Sequence, residues 1–128
     1  MSFQSRMLAW LDGCSELDQF VRQAGELRET GADAGDMFAC FYRDGGRQTG
    51  PVNAFPRVKI WLYGKHESEL VDKHLDDMGA AADALFKYAT DPMTVCGFIS
   101  AKVLGGIIGP KFTENGRATY GMTVEFID

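Results

Sequence analysis

The chain has 128 residues, a hydrophobic fraction of 45% and a formal net charge of −5 at pH 7. Its length and composition are typical of a single globular domain, covering residues 1–128. The acidic balance argues against a protein that grips nucleic acid, because that function needs clustered Lys and Arg to displace counterions from phosphates.

The first predicted element is helical. Apolar residues recur at helical spacing over residues 7–14 and again over residues 17–27. Gly13 lies between the two stretches and either breaks or bends the helix, because a glycine inside a helix costs about 1 kcal/mol relative to alanine. Ser15 has the pattern of a cap for the second stretch.

Two strands and an intervening loop are predicted next. "MFACFYR" (residues 37–43) is short and rich in aromatic residues, which favours a strand. "DGGRQTGPVNAF" (residues 44–55) contains three glycines and a proline, and a loop of that length is usually functional or mobile. "PRVKIWLYG" (residues 56–64) alternates as a strand does. One face carries Val58, Ile60 and Leu62, and the other carries Lys59, Trp61 and Tyr63.

A long amphipathic helix is predicted over residues 68–89, where apolar residues follow one stripe and acidic and basic residues the opposite side. Ser68 is the expected N-cap, and Pro92 ends the helix. At 1.5 Å per residue such a helix is about 30 Å long, enough to cross a small sheet.

The remainder of the sequence predicts β-structure. A strand is expected over residues 94–104, followed by an irregular connection over 105–112, because Pro110 cannot occupy a central strand. Residues 114–116 include an Asn-Gly pair and predict a tight hairpin turn before a strand over 117–127. The predicted class is α+β, with an N-terminal helix and one long helix packed on a mainly antiparallel β-sheet.

The two histidines do not have the spacing of a metal site. His66 and His74 are eight residues apart, whereas the helical zinc pattern H-E-x-x-H places its ligands four apart on one face. We predict that His74 is a half-buried histidine on the apolar stripe with its hydrogen bonds satisfied. We predict that His66 is a solvated turn residue.

No catalytic constellation is predicted, and neither a cofactor nor a metal is expected. Cys14, Cys40 and Cys96 are odd in number and lack C-x-x-C spacing, which favours reduced, buried thiols in an intracellular protein. "VLGGIIGPKFT" departs from the phosphate-binding loop because Pro110 separates its glycine from its lysine. The N-terminus lacks the features of a signal peptide, and no apolar run is long enough to span a membrane.

The remaining features are typical of an interaction protein. A glycine-rich segment with two arginines lies between aromatic strands, and a second irregular segment follows near residues 105–113. The residues predicted to contact partners are Arg43, Asp44, Arg47, Gln48, Phe55, Arg57, Lys111 and Phe112.

Two segments resemble a known family. "CFYRDGG…NAFPRVKIWLYGK" resembles the "F-x-DG…FP-x-V-x-V-x-L-x-G" segment of phage tail terminator proteins, which are minor tail components of long-tailed bacteriophages. "GRATYGMTVEFID" is similar to their closing strand. The resemblance covers roughly residues 38–65 and 116–128. The family often has a further strand before its long helix, whereas here Ser68 is predicted to cap the helix soon after Gly64.

The resemblance implies a homo-oligomeric ring, expected to be a hexamer, at the head-proximal end of the tail tube. Such a ring ends tube polymerisation and joins the tail to the head connector, so the expected partners are further copies, the tail tube protein and a connector protein. DNA would pass through the lumen without specific binding. The expected location is the virion, after assembly in the host cytoplasm. Another neck or tail-completion adaptor, or a small cytosolic ligand-binding domain or enzyme, remains an alternative.

Overall fold

The structure, a computed structural model, describes residues 3–30, 35–49, 53–66, 73–91 and 100–127. Two helices and five strands are present in these ranges. In chain order they are α1 (Phe3–Asp12), a short 3₁₀ turn (Ser15–Leu17), β1 (Phe20–Ala24), β2 (Met37–Thr49), β3 (Asn53–Tyr63), α2 (His74–Thr90), β4 (Ser100–Phe112) and β5 (Ala118–Ile127).

The five strands form one sheet in the order β1-β2-β3-β5-β4, so β1 and β4 are its edges. β1 runs parallel to β2, and the other three pairings are antiparallel. This mixed sheet with two helices confirms the predicted α+β class.

The helices cover one face of this sheet. Trp10 of α1 lies 4.9 Å from Tyr88 of α2 and 5.1 Å from Phe126 of β5, measured between ring centroids. The predicted inward face of β3, with Val58, Ile60 and Leu62, is buried in the same core, which confirms that prediction. Full burial of side chains of this size contributes roughly 1.5–3 kcal/mol each.

The predicted helix over residues 17–27 is wrong. α1 ends at Asp12, and Phe20–Ala24 form strand β1. Residue 13, which follows α1, must be a glycine because the Tyr88 hydroxyl, which donates a 2.5 Å hydrogen bond to the Trp10 carbonyl, lies where a Cβ on that residue would be. After the turn, the backbone of β1 pairs with β2 instead of forming the hydrogen bonds of a helix within its own segment.

The predicted loop over residues 44–55 is also wrong at both of its ends. β2 continues to Thr49 and β3 begins at Asn53, so the two strands form one long hairpin whose tip, residues 50–52, lies outside the described residues. The glycines are accommodated by a break in register between Arg43 and Gly46, where Gly45 adopts a φ of 77°. A bulge of this kind inserts loop-like residues into a strand without ending it.

The predicted irregular connection over residues 105–112 is strand in the structure. β4 runs from Ser100 to Phe112 and pairs with β5, with shifts in register on both sides of Ile108. Pro110 is tolerated because β4 is an edge strand, where a missing backbone donor leaves no neighbour unpaired. The predicted start of this strand at residue 94, and Cys96, lie outside the described residues.

The remaining boundaries follow the sequence more closely. α2 begins at His74 and ends at Thr90, while the predicted cap Ser68 and stop Pro92 lie outside the described residues. The Asn-Gly turn is confirmed by the hydrogen bond from the Gly116 N–H to the Thr113 carbonyl (3.0 Å). The strand after it, β5, occupies the predicted residues with their apolar face inward. Among the described residues, no helix combines the length and apolar character that a bilayer crossing requires.

Candidate functional site

The face of the sheet opposite the helices, called here the outer face, carries an unusual concentration of aromatic side chains. Its membership follows from the strand register: Cys40 is opposite Trp61, and Trp61 is opposite Gly121. Trp61 and Tyr63 are half-buried on this face although the described helices pack on the other. Members of the outer face on the three central strands are Phe38, Cys40, Tyr42, Arg57, Lys59, Trp61, Tyr63, Thr119, Gly121, Thr123 and Glu125.

A short segment after β1, residues 25–30, crosses one end of the outer face and is called here the strap. It begins at Gly25, whose N–H donates to the Phe41 carbonyl (2.7 Å) and whose φ of 97° suits a residue without a Cβ. Near its other end, Glu29 accepts a hydrogen bond from Asn115 Nδ2 (2.9 Å) in the β4–β5 turn. The strap therefore connects the β1 side of the sheet to the beginning of β5.

Arg117 fixes the far end of the strap. Its side chain is 1% exposed, and its Nε pairs with the Glu29 carboxylate. Its Nη1 donates to the carbonyls of Asp36 (2.7 Å) and Gly64 (2.9 Å), and its guanidinium lies 5.1 Å from the centroid of the Phe38 ring. A buried cation is stable only when paired and hydrogen-bonded in this way, so Arg117 is a structural anchor.

Between the strap and the outer face is a cavity of about 310 Å³. It is lined by Gly25, Glu26, Leu27, Cys40, Tyr42, Trp61, Tyr63 and Thr113. Trp61 is held against the sheet by Gly121, since a Cβ there would lie 2.5 Å from two carbons of the indole. The lining thus combines three aromatic rings with one carboxylate, that of Glu26.

The electrostatic environment of this cavity disfavours negative charge. Burial raises the pKa of Tyr63, and the nearby Cys40, Tyr42 and Glu26 raise it further. Burial also raises the pKa of the Cys40 thiol to about 11, against a smaller lowering effect of Arg28. The phenol and the thiol are therefore protonated at neutral pH, and the cavity suits a neutral or cationic ligand.

A second cleft, of about 570 Å³, lies between the start of α2 and the 3₁₀ turn. His74 lines it but is 4% exposed, and its Nε2 accepts a 3.0 Å hydrogen bond from the Lys65 N–H. Burial lowers the pKa of His74, the Lys65 charge lowers it further and Asp77 opposes them. The predicted hydrogen-bonded histidine is confirmed, although His74 is more deeply buried than the predicted half-buried state, and its bonded nitrogen is not available to a metal. His66 is half-buried and lies in a segment without regular structure, so it is less exposed than the predicted solvated turn residue.

The structure does not supply an activated thiol among the described cysteines. Cys14 and Cys40 are both buried. Burial, followed by the nearby Glu16 carboxylate, raises the pKa of Cys14 to about 11, similar to that of Cys40. A protonated thiol is a poor nucleophile and a poor metal ligand. Within the described ranges, no three His, Cys, Asp or Glu side chains are grouped as a metal site requires.

The predicted contact residues fall into two groups at opposite ends of the sheet. The first is at the β2–β3 hairpin: Arg43 lies 5.7 Å from the Phe3 ring centroid, Asp44 pairs with Lys59 (3.4 Å) and Arg57 pairs with Glu125 (3.1 Å). The second group ends β4, where Lys111 pairs with Thr119 in the register. Phe112 beside it is 61% exposed.

Three of the predicted residues, Arg47, Gln48 and Phe55, lie farther out on the hairpin. The last pair that joins β3 to β5 is Arg57 with Glu125. Beyond it, residues 46–49 and 53–56 pair only with each other among the described residues, and we call this two-stranded extension the arm. The backbones of these three residues therefore lie beyond the last pair that joins β3 to β5.

Sequence reasoning missed Arg117, the strap and the cavity. The signal for Arg117 was a lone arginine between a turn and a cleanly alternating strand, but its partners are distant in sequence. Comparison of the sequence with models of known protein families, and with curated proteins, gave no match. Inference of function therefore depends on the chain's own sequence and geometry.

Proposed function

We propose that this protein is a structural component of a bacteriophage tail, a terminator that forms a homo-oligomeric ring of six copies on the head-proximal end of the tail tube. The ring ends tube polymerisation and joins the tail to the head connector. The segments that resemble tail terminators are residues 38–65 and 116–128. They contain most of β2 and all of β3 and β5, and these three strands are adjacent in the sheet. The resemblance thus falls on one continuous part of the fold.

The arm is the observation that carries this proposal. Four residue pairs, from Gly46 with Pro56 to Thr49 with Asn53, extend beyond the three-stranded part of the sheet. A two-stranded ribbon with no further support is marginally stable in water. An arm of this kind gains its stability by lying against another subunit.

The two groups of predicted contact residues also favour a ring. The arm and the exposed Phe112 lie at opposite ends of the sheet, so they form dissimilar surfaces. A contact between two dissimilar surfaces is head-to-tail, and it gives a closed ring when the rotation between subunits closes. The net charge of −5 fits a lumen through which DNA passes, since an acidic wall does not hold phosphate.

Deletion of residues 45–52 tests the proposal. We expect the shortened chain to fold as a monomer, to lose the ring and to leave tails of uncontrolled length when it replaces the intact protein during tail assembly. Ring formation is measured by native mass spectrometry, alone and with tail tubes, and tail length by electron microscopy. The matched control is Asp83→Asn on the exposed side of α2. Rings of normal size and infectious particles from the deletion variant would contradict the proposal.

A ligand-binding domain is the second candidate, and the cavity under the strap is the observation that favours it. The two candidates differ in assembly. A terminator forms a ring by itself or assembles on tail tubes, whereas a ligand-binding domain does not associate with tail tubes. Genes for a tube protein and a tape-measure protein beside this gene would favour the terminator.

A further inference from the structure

We propose that the cavity between the strap and the outer face binds one cationic group, a guanidinium or an ammonium. The site consists of Tyr42, Trp61 and Tyr63, with the carboxylate of Glu26 on the strap above them. The shared chemistry admits two sources, a cationic side chain of a second copy or a small organic cation. The supply of the cation by a second copy rests on the proposed ring, whereas binding of a small organic cation does not.

The aromatic side chains of the cavity attract a cation. A cation within about 6 Å of an aromatic ring is attracted by the negative potential of the ring face, most strongly for tryptophan. Gly121 leaves room for the Trp61 indole to lie against the backbone of β5. Cys40, directly opposite Trp61 on β2, is small and leaves the space that Tyr42 and Tyr63 flank.

The charge in the cavity wall also favours a cation. Glu26 is the only acidic or basic residue among the lining residues, all of which the structure describes. The nearby cation Arg28 does not line the cavity, and its Nη1 donates to the Ala24 carbonyl (2.9 Å). The Glu26 carboxylate is therefore the only formal charge among the lining residues, while the Arg28 cation lies outside the wall but close enough to act on Cys40. An anion would be repelled by the Glu26 carboxylate.

The size of the cavity limits the ligand. Its volume of about 310 Å³ is at the lower end of small-molecule sites, roughly 300–1,000 Å³. One arginine or lysine side chain, or an organic cation of similar size, is of the right scale. In the proposed ring, Arg47 of a second copy is the candidate residue, because its backbone lies in the arm, beyond the last pair that joins β3 to β5.

Titration of the full chain with N-acetylarginine amide tests the site, with the neutral N-acetylcitrulline amide as the matched probe. Trp10 is fully buried in the core, so a saturable change in tryptophan fluorescence reports on Trp61. We expect the arginine probe to bind with a Kd of about 1–10 mM. We expect the citrulline probe to bind at least about fivefold more weakly, because it lacks the charge. Equal binding of the two probes, or no saturable change with either, would overturn the proposal.

Substitutions locate the binding. Glu26→Gln and, separately, Tyr42→Leu should each weaken the arginine probe about fivefold or more, whereas Asp83→Asn should not. Urea unfolding establishes that each variant is folded. Because Glu26 is exposed on the strap, its substitution is not expected to affect folding. Unchanged affinity in both folded cavity variants would overturn the assignment of the site.

The source of the cation is determined by self-association. If a second copy supplies the cation, Arg47→Gln and an excess of the arginine probe should each reduce self-association, measured by analytical ultracentrifugation. If the probe binds but neither treatment changes the association state, the second-copy source is overturned and a small organic cation is supported. Probe binding is measured on the chain by itself, so it is independent of whether the chain forms a ring.

Discussion

The guanidinium of Arg117 joins three segments that are far apart in the sequence: the strap at Glu29, the residue before β2 at Asp36 and the residue after β3 at Gly64. Arg117→Met removes these bonds and leaves the carbonyls of Asp36 and Gly64, the second of them buried, without this donor. We expect the free energy of unfolding to fall by about 3 kcal/mol, as for other broken buried ion pairs. Urea unfolding with a common m-value is the measurement.

Lys59→Met is the matched control for this substitution. Lys59 pairs with Asp44 at 3.4 Å, but the two side chains are 38% and 51% exposed. An exposed pair contributes about 1 kcal/mol or less, so the control should lose far less stability. Equal losses in the two variants would show that Arg117 is not an anchor.

His74 gives the protein a predictable response to acid. Its pKa in the folded state is lowered, first by burial and then by Lys65, so the unfolded histidine takes up a proton at a higher pH than the folded one. The neutral ring contributes stability above the ordinary pKa of about 6.5, and this contribution is lost as the pH falls below that value. We expect stability to decline with a slope of up to about 1.4 kcal/mol per pH unit, measured by urea unfolding from pH 7 downward.

His74→Gln should remove this part of the pH dependence, and the variant should be less stable at every pH because the Lys65 N–H loses its acceptor. His66→Gln, in which the other histidine is replaced, should retain it. A decline that is the same in all three proteins would assign the acid sensitivity to other groups.

Of these single residues, only His74 was predictable from the sequence. Its position on the apolar stripe of a helix is a local pattern, and local patterns indicate burial directly. Arg117 and Glu26 depend instead on carbonyls and rings that the strand register brings to them. Nothing in their immediate sequence indicates those contacts.

At the level of elements, the strands β3 and β5 and the turn before β5 were predictable, because alternation and an Asn-Gly pair are strong local signals. β1 was not. The spacing of Leu17, Phe20 and Val21 fits a helix, yet Val21 is 44% exposed and Phe20 is buried. The segment is only five residues long, and its pairing with β2 outweighs its local preference.

Glycine and proline misled the assignment in the hairpin and in β4 for one reason. In both elements these residues form breaks in register within a strand rather than connections between strands. Composition does not distinguish a bulge from a loop, because both need residues that tolerate a positive φ or a missing donor. The distinction depends on a partner strand elsewhere in the chain.

The bulged edge strand β4 offers a paired test of this interpretation. Gly109 has a φ of 133°, and a Cβ there would lie 2.5 Å from the Thr119 carbonyl oxygen. Gly106 has nothing within 4 Å of the same position. We expect Gly109→Ala to lower the free energy of unfolding by about 2–3 kcal/mol and Gly106→Ala to change it by less than about 1 kcal/mol.

Both variants are compared by thermal and urea unfolding of the full chain. The residues are in the same strand and undergo the same substitution, so the comparison isolates the local conformation. Similar effects of the two substitutions would contradict the geometry of β4.

On the scale of the whole molecule, the core and the arm should differ in protection from hydrogen exchange. The central strands pair on both sides and are covered by helices on one face, whereas the arm pairs only with itself in the described residues. We expect arm amides at residues 46–49 to exchange about as fast as a frayed terminus in the isolated chain, and β5 amides to exchange only on global unfolding.

Assembly should slow the hydrogen exchange of the arm amides alone. Slow exchange of the arm in a ring or on a tail tube, with unchanged rates in β5, is the expected result by mass spectrometry. Arm amides that are already protected in a demonstrated monomer would remove the reason for assigning the arm to a contact between subunits.

The strap also has a consequence for ligand size. It is fixed at its ends by the Gly25 N–H on the Phe41 carbonyl and by Glu29 on Arg117, and the backbone of Arg28 is bonded to the Gln23 side chain, so only Glu26 and Leu27 lie between the attached residues. The length of this span, rather than the identity of the wall residues, sets the clearance above Trp61. Insertion of one glycine beside Leu27 would enlarge the opening while leaving both attachments in place, and the protein would then admit bulkier cations without a change in its aromatic wall.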